Sequence, residues 1–152
     1  MADIPDAFHR AEADCDVPAA QAYAFLCDGI ALGRWALGCW ATEPDGLGTV
    51  RGHSLFDGQP GWVRPEGDAA RLTIAYHVGG APDRLQPRIQ AQVLPGEALG
   101  MGPGRCRVRL DATRTPDMDD ARWLRLVRCH EVEVLLIQAQ LARRSAGGAG
   151  GA

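Results

Sequence analysis

His130 is the residue of this chain best placed to do chemistry. Its imidazole titrates near neutral pH, so it can hold or move a proton or anchor a ligand. At about 100° per residue, Trp123, Leu126, Val127, His130, Val134, Ile137 and Leu141 fall on one stripe of a helix, with His130 near its middle. A polar ring in such a stripe looks either into packed core, where neighbours must satisfy its nitrogens, or into a cavity. Glu133 lies three residues on and could pair with His130, but at the edge of the stripe it reads as a solvated side chain. Tyr76 shares a strand face with Leu72, Ile74 and Val78, which sets its hydroxyl either in a pocket or at the rim of the core. Trp35, Trp40, Trp62 and Trp123 each suit a cavity wall or plain core.

Other sequences that invite a chemical reading do not support one. Ser54 sits in Gly52-His53-Ser54-Leu55-Phe56, which is not a nucleophile elbow, and His53 and Ser54 would point to opposite faces of a strand. Gly100-Met101-Gly102-Pro103-Gly104 precedes a strand and not a helix, so it lacks the dipole geometry for phosphate; it reads as a mobile loop at a cavity mouth, with Met101 able to touch a ligand. His130-Glu131-Val132-Glu133-Val134 has no second histidine for zinc. Five cysteines, odd in number and without a Cys-x-x-Cys pair, read as reduced apolar fillers. No metal and no cofactor is expected.

These residues need elements to position them. From Asp117 to Arg144 the chain has no Pro or Gly, with Thr115 and Pro116 placed to open a helix and Arg143 and Arg144 to close it. The spacing predicts one helix over Pro116 to Arg144, ending before a flexible Gly/Ala tail at 145–152. Upstream, a strand over His9 to Cys15 leads to a helix capped by Asp16, then a short second helix from about Ile30 to Ala36. Period-two segments follow near Gly38 to Thr42, Thr49 to Phe56, Gly61 to Arg64, Arg71 to Val78, Gln86 to Val93 and Arg105 to Ala112. On the sixth of these strands Ile89, Ala91 and Val93 face one way and Arg88, Gln90 and Gln92 the other. On the last, Arg105, Arg107 and Arg109 read as a solvated face. The expectation is an α+β domain: seven antiparallel strands, curved around a long C-terminal helix.

A length of 152 residues fits a single domain, 1–144, and the 46% apolar and 23% charged fractions are those of a soluble globular protein. All sixteen basic residues are Arg, and the net charge of −3 argues against nucleic acid as a partner. There is no secretory leader and no apolar run long enough for membrane insertion, so a cytoplasmic location is expected. Val132, Leu136 and Ala139, beside Leu124 and Leu135, form a second stripe on the helix. Either the sheet wraps far around to cover it or a homodimer does.

The stretch DVPAAQAYAFLCDGIALGRW, Asp16 to Trp35, resembles the opening of the START/SRPBCC superfamily. GHSLFDG with RLTIAYHV resembles its middle strands, and MDDARWLRLVRCHEVEVLLIQAQL its long final helix. The resemblance implies the helix-grip fold, shared by polyketide cyclase-like and lipid-transfer proteins, with a deep cavity for an apolar or amphipathic small molecule. Its members include pure binders, aromatase/cyclase-type enzymes and chaperone-activating modules; the absence of a recognisable catalytic set favours a binder of a hydrophobic small molecule, with the other two as alternatives. The candidates for the cavity are His130, Tyr76, Trp35, Trp40, Phe56, Met101, Trp123, Val127 and Val134.

Overall fold

A computed structural model describes residues 7–150 of the chain, with side chains through position 145. Seven strands form one antiparallel sheet: β1 (Phe8–Cys15), β2 (Trp40–Pro44), β3 (Val50–His53), β4 (Pro60–Asp68), β5 (Thr73–Gly79), β6 (Gln86–Pro95) and β7 (Cys106–Thr113). Their spatial order is β1-β7-β6-β5-β4-β3-β2, so the first strand closes onto the last. Helices α1 (Ala19–Cys27) and α2 (Gly29–Leu32) follow β1, and α3 (Asp120–Gly150) is the last of the described elements. This is the expected α+β helix-grip architecture. None of the described helices is long and apolar enough to cross a membrane.

Alternation explains the sheet. Ala11, Ala13 and Cys15 of β1 and Cys106, Val108, Leu110 and Ala112 of β7 point inward and are at most 9% exposed. Outward, the arginines are paired across the two strands: Arg105 with Asp16 at 2.7 Å, Arg107 with Asp14 at 2.7 Å, Arg109 with Glu12 at 2.6 Å, and Arg10 with Asp111 at 2.8 Å. Asp16, expected to cap α1, is therefore spent on Arg105. Pro18 occupies the N-cap position and makes no side-chain hydrogen bond. Asp28 does cap, its Oδ1 accepting from the Ile30 and Ala31 amides at 2.9 and 3.3 Å. The absence of a Cβ at Gly33 lets α2 lie on β2, since that atom would meet the Thr42 amide nitrogen at 2.3 Å.

The long helix starts four residues later than its composition suggested. Thr115 and Pro116 form a turn closed by the Met118 amide on the Thr115 carbonyl at 3.0 Å. Asp119 is the cap, its Oδ1 accepting from the Arg122 amide at 2.8 Å. Met118, just before the cap, packs in one apolar cluster with Trp123, as a hydrophobic staple does. At the other end the helix passes Arg144 and continues to Gly150, against the expected stop. Extending a nucleated helix adds one hydrogen bond per residue, and the poor propensity of glycine does not overcome that here.

Trp123, Val127, Val134, Ile137 and Leu141 are buried, and α3 makes its main sheet contacts with β1 and β7. The sheet does not wrap far enough to cover the second stripe: Val132 and Leu135 remain 47% and 57% exposed.

Candidate functional site

Between α3 and the β4–β6 half of the sheet lies a cavity of about 640 Å³. Its floor is set by buried residues of several elements: Leu32 of α2, Trp35, Ala36 and Cys39 after it, Val63 of β4, and Tyr76 of β5. Its mouth is set by Pro60, Gly80, Arg84, Gln86 and Arg122, all exposed. The β5–β6 connection folds tightly at that mouth, because a Cβ on Gly79 would meet the Arg84 carbonyl oxygen at 2.4 Å. A second lobe of about 300 Å³ adjoins the first, sharing Gly38, Pro60, Ile89, Arg122, His130 and Glu133 and adding Phe56, Arg125 and Cys129.

His130 and Glu133 stand at the junction of the lobes, 2% and 6% exposed, with His130 Nε2 3.9 Å from Glu133 Oε1. That distance is too long for a direct hydrogen bond. Glu133 is held from the far side: its Oε2 accepts from the Leu37 amide at 2.9 Å, a contact across 96 positions of chain. The segment after α2 folds over the helix here, which buries a glutamate that helical spacing had set in solvent. Burial pushes the Glu133 carboxyl up to about 7, against the opposing pull of the Leu37 amide. Burial first, and then repulsion from His9, lowers His130 to about 4, with Asp111 acting the other way. The junction thus favours a neutral imidazole beside a carboxyl that holds its proton more readily than an exposed glutamate does. Two buried nitrogens on the cavity wall, His130 Nδ1 and Trp35 Nε1, have no hydrogen-bond partner among the described residues.

Tyr76 is on the wall too, but its hydroxyl donates to the Leu26 carbonyl at 2.7 Å, and its ring meets Trp35 edge-on at 5.8 Å. The phenol therefore ties α1 to the sheet. Trp35, Tyr76 and His130 come together in the main lobe and Phe56 lies in the smaller one. Trp123, Val127 and Val134 do not line either lobe; they face β1 and β7 as packed core. Trp40 lies on β2, outside the wall. Met101 is in the β6–β7 connection, at the opposite end of β6 from the mouth, so the glycine-rich loop does not frame the cavity.

Alternation along β6 also fails at one informative position. Tyr76 pairs with Ile89 but His77 pairs with Pro87, so Arg88 is the extra residue of a β-bulge. A bulge re-aims its side chain, and Arg88, expected on the face opposite Ile89, Ala91 and Val93, lines the cavity. Its Nε is buried with no hydrogen-bond partner among the described residues. Across the mouth Arg122 of α3 faces it, and the Asp117 Oδ2 lies 3.4 Å from Arg88 and 3.3 Å from Arg122. The Thr115 hydroxyl on the other Asp117 oxygen is the first cause of a lowered Asp117 pKa, and the two arginines add to it. No set of three or more His, Cys, Asp or Glu side chains among the described residues converges as a metal site.

No protein-family profile matches the chain, and no curated protein matches it in sequence. Solved structures do match it in fold. The Zhui aromatase/cyclase from Streptomyces sp. R1128 superposes with a TM-score of 0.63 at 19% identity, over 91% of this chain and 94% of that one. A START superfamily protein from Mycobacterium smegmatis gives 0.60 at 13% identity, over 91% and 99%. The Aha1 dimer from Colwellia psychrerythraea gives 0.62 at 15% identity, over 90% and 96%. The chain has the fold of these START-like proteins.

Proposed function

We propose that this protein binds a hydrophobic or amphipathic small molecule, lipid- or polyketide-like, in the cavity between sheet and C-terminal helix, as a cytoplasmic binder or carrier. The observation that carries the reading is the cavity itself. At about 640 Å³, with a buried apolar and aromatic floor and a few convergent polar groups, it matches the size and lining of small-molecule sites, roughly 300–1,000 Å³. The likeness in fold to START-like proteins supports it. A native mass spectrum of gently purified protein should contain a co-purified mass that organic solvent releases and that Val78→Trp, which fills the wall, reduces. Apoprotein alone, with no uptake of an added neutral naphthalene dye, would overturn the reading.

A second reading, an aromatase/cyclase-type enzyme, is favoured by one observation: His130 and Glu133 form a buried couple whose pKa values are displaced in opposite directions. The neutral imidazole would accept a proton from carbon beside a ligand carbonyl, and the Glu133 carboxyl would donate one to oxygen. Faster cyclisation of a poly-β-ketone thioester by wild type than by His130→Ala, judged by product analysis, supports it; equal rates remove it.

A further inference from the structure

We infer that the ligand of this cavity is an amphipathic oxyanion, an apolar body bearing one carboxylate-like group that is bound at the mouth by Arg88 and Arg122. The inference rests on the cavity-binding reading and adds the chemical class of the ligand.

Three arginines reach the cavity: Arg84 in the β5–β6 connection, 3.9 Å from its own neighbour Asp83, and two that share a single carboxylate, Arg88 of β6 and Arg122 of α3. Arg88 is there only because the β5–β6 register slips at this point; in a regular ladder it would point away from the cavity. Its side chain is 21% exposed, and its Nε is buried with no hydrogen-bond partner among the described residues. A guanidinium offers five donors in a fixed fork. The resident carboxylate, Asp117, engages the pair poorly: one oxygen serves both arginines at 3.4 and 3.3 Å, and its side chain is 53% exposed. One charge is thus shared between two cations, leaving donors on both and a net positive mouth above an apolar floor. A ligand oxyanion would displace Asp117, take up bidentate contacts, and send its apolar body toward Trp35 and Val63.

The test uses two dyes with one aromatic body, 8-anilinonaphthalene-1-sulfonate and its neutral counterpart N-phenyl-1-naphthylamine, titrated by fluorescence into the full-length protein. Wild type should prefer the anionic dye. Arg88→Gln and Arg122→Gln should each weaken the anionic dye roughly tenfold more than the neutral dye, with an unaltered circular dichroism spectrum. If one variant does not fold, the other carries the comparison. Asp117→Asn should act in the opposite sense, tightening the anionic dye roughly two- to fivefold, because a competing carboxylate is removed. Equal affinity for both dyes, or an anion preference that survives both arginine variants, would overturn the inference while leaving the cavity reading intact. A neutral dye that does not bind would sink the cavity reading and this inference with it.

Discussion

Where α3 lies over β1 and β7, its Trp123, Val127, Val134, Ile137 and Leu141 are at most 3% exposed, and the strands behind them are tied externally by four ion pairs. Where the same helix turns toward β4–β6, it presents His130 and Glu133 to a cavity. Packing on the first side holds the helix at a fixed distance from the sheet, so the second side need not collapse. That division of labour also explains how partnerless nitrogens persist: dehydrating Trp35 Nε1 and His130 Nδ1 costs free energy that the packed flank offsets. One sequence segment thus serves two opposed ends, close packing and retained space.

The contrast is broken most directly by paired truncations. Ile137→Ala, on the packed flank, should cost roughly 2–5 kcal/mol in urea unfolding, whereas Ile89→Ala, on the cavity wall, should cost about 1 kcal/mol. Equal costs would mean that the two flanks are packed alike.

Acid–base behaviour sharpens the contrast. Glu133 at about 7 lies above its ordinary value of 4.5, so its contribution is full below pH 4.5 and is lost as pH rises to about 7. His130 at about 4 lies below its ordinary 6.5, so its contribution is full above pH 6.5 and is lost as pH falls to about 4. Across pH 4.5–6.5 the two slopes oppose and wild type should be nearly flat. Glu133→Gln should become more stable with rising pH there, and His130→Ala less stable, by about 3 kcal/mol over each full window. At neutral pH, where the imidazole is uncharged, His130→Ala should change stability by only about 1 kcal/mol. Thermal melts from pH 4 to 8 decide this, and parallel profiles for both variants would show that the couple is not buried as described.

The smallest effect belongs to the outer ladder. Arg109→Ala removes a partly exposed pair with Glu12 and should cost under about 1 kcal/mol, shrinking further in high salt. A larger, salt-insensitive loss would show that the ladder shares in the packing.

Helical and strand periodicity made much of this legible. The buried stripe of α3 and the inward faces of β1, β5 and β7 follow from residue spacing alone. Three features at the site do not. Glu133 is buried by a segment 96 positions away, and no local pattern encodes that contact. Arg88 reaches the cavity through a register slip, which inverts the side that alternation assigns. The mouth lies at the β5–β6 connection, while the glycine-rich stretch that suggests a mobile loop is at the other end of β6. Caps were legible by type but not by position: Asp119 and not Thr115 begins α3, because Pro116 and Asp117 are taken up in the preceding turn.

The pairing of β1 with β7 sets a timetable for the chain as it is made. Phe8 finds Thr113, and Cys15 finds Cys106, so the first strand has no ladder partner until residues 106–113 have been translated. At about 5–20 residues per second, that interval is roughly 5–20 s. Throughout it an alternating apolar strand leaves the ribosome with one face unburied, and the α3 helix that covers it is synthesised later still. The β2–β5 meander pairs only with near neighbours in sequence and can form during the wait. The cavity, whose walls include His130 and Glu133, is accordingly the last part of the molecule to exist.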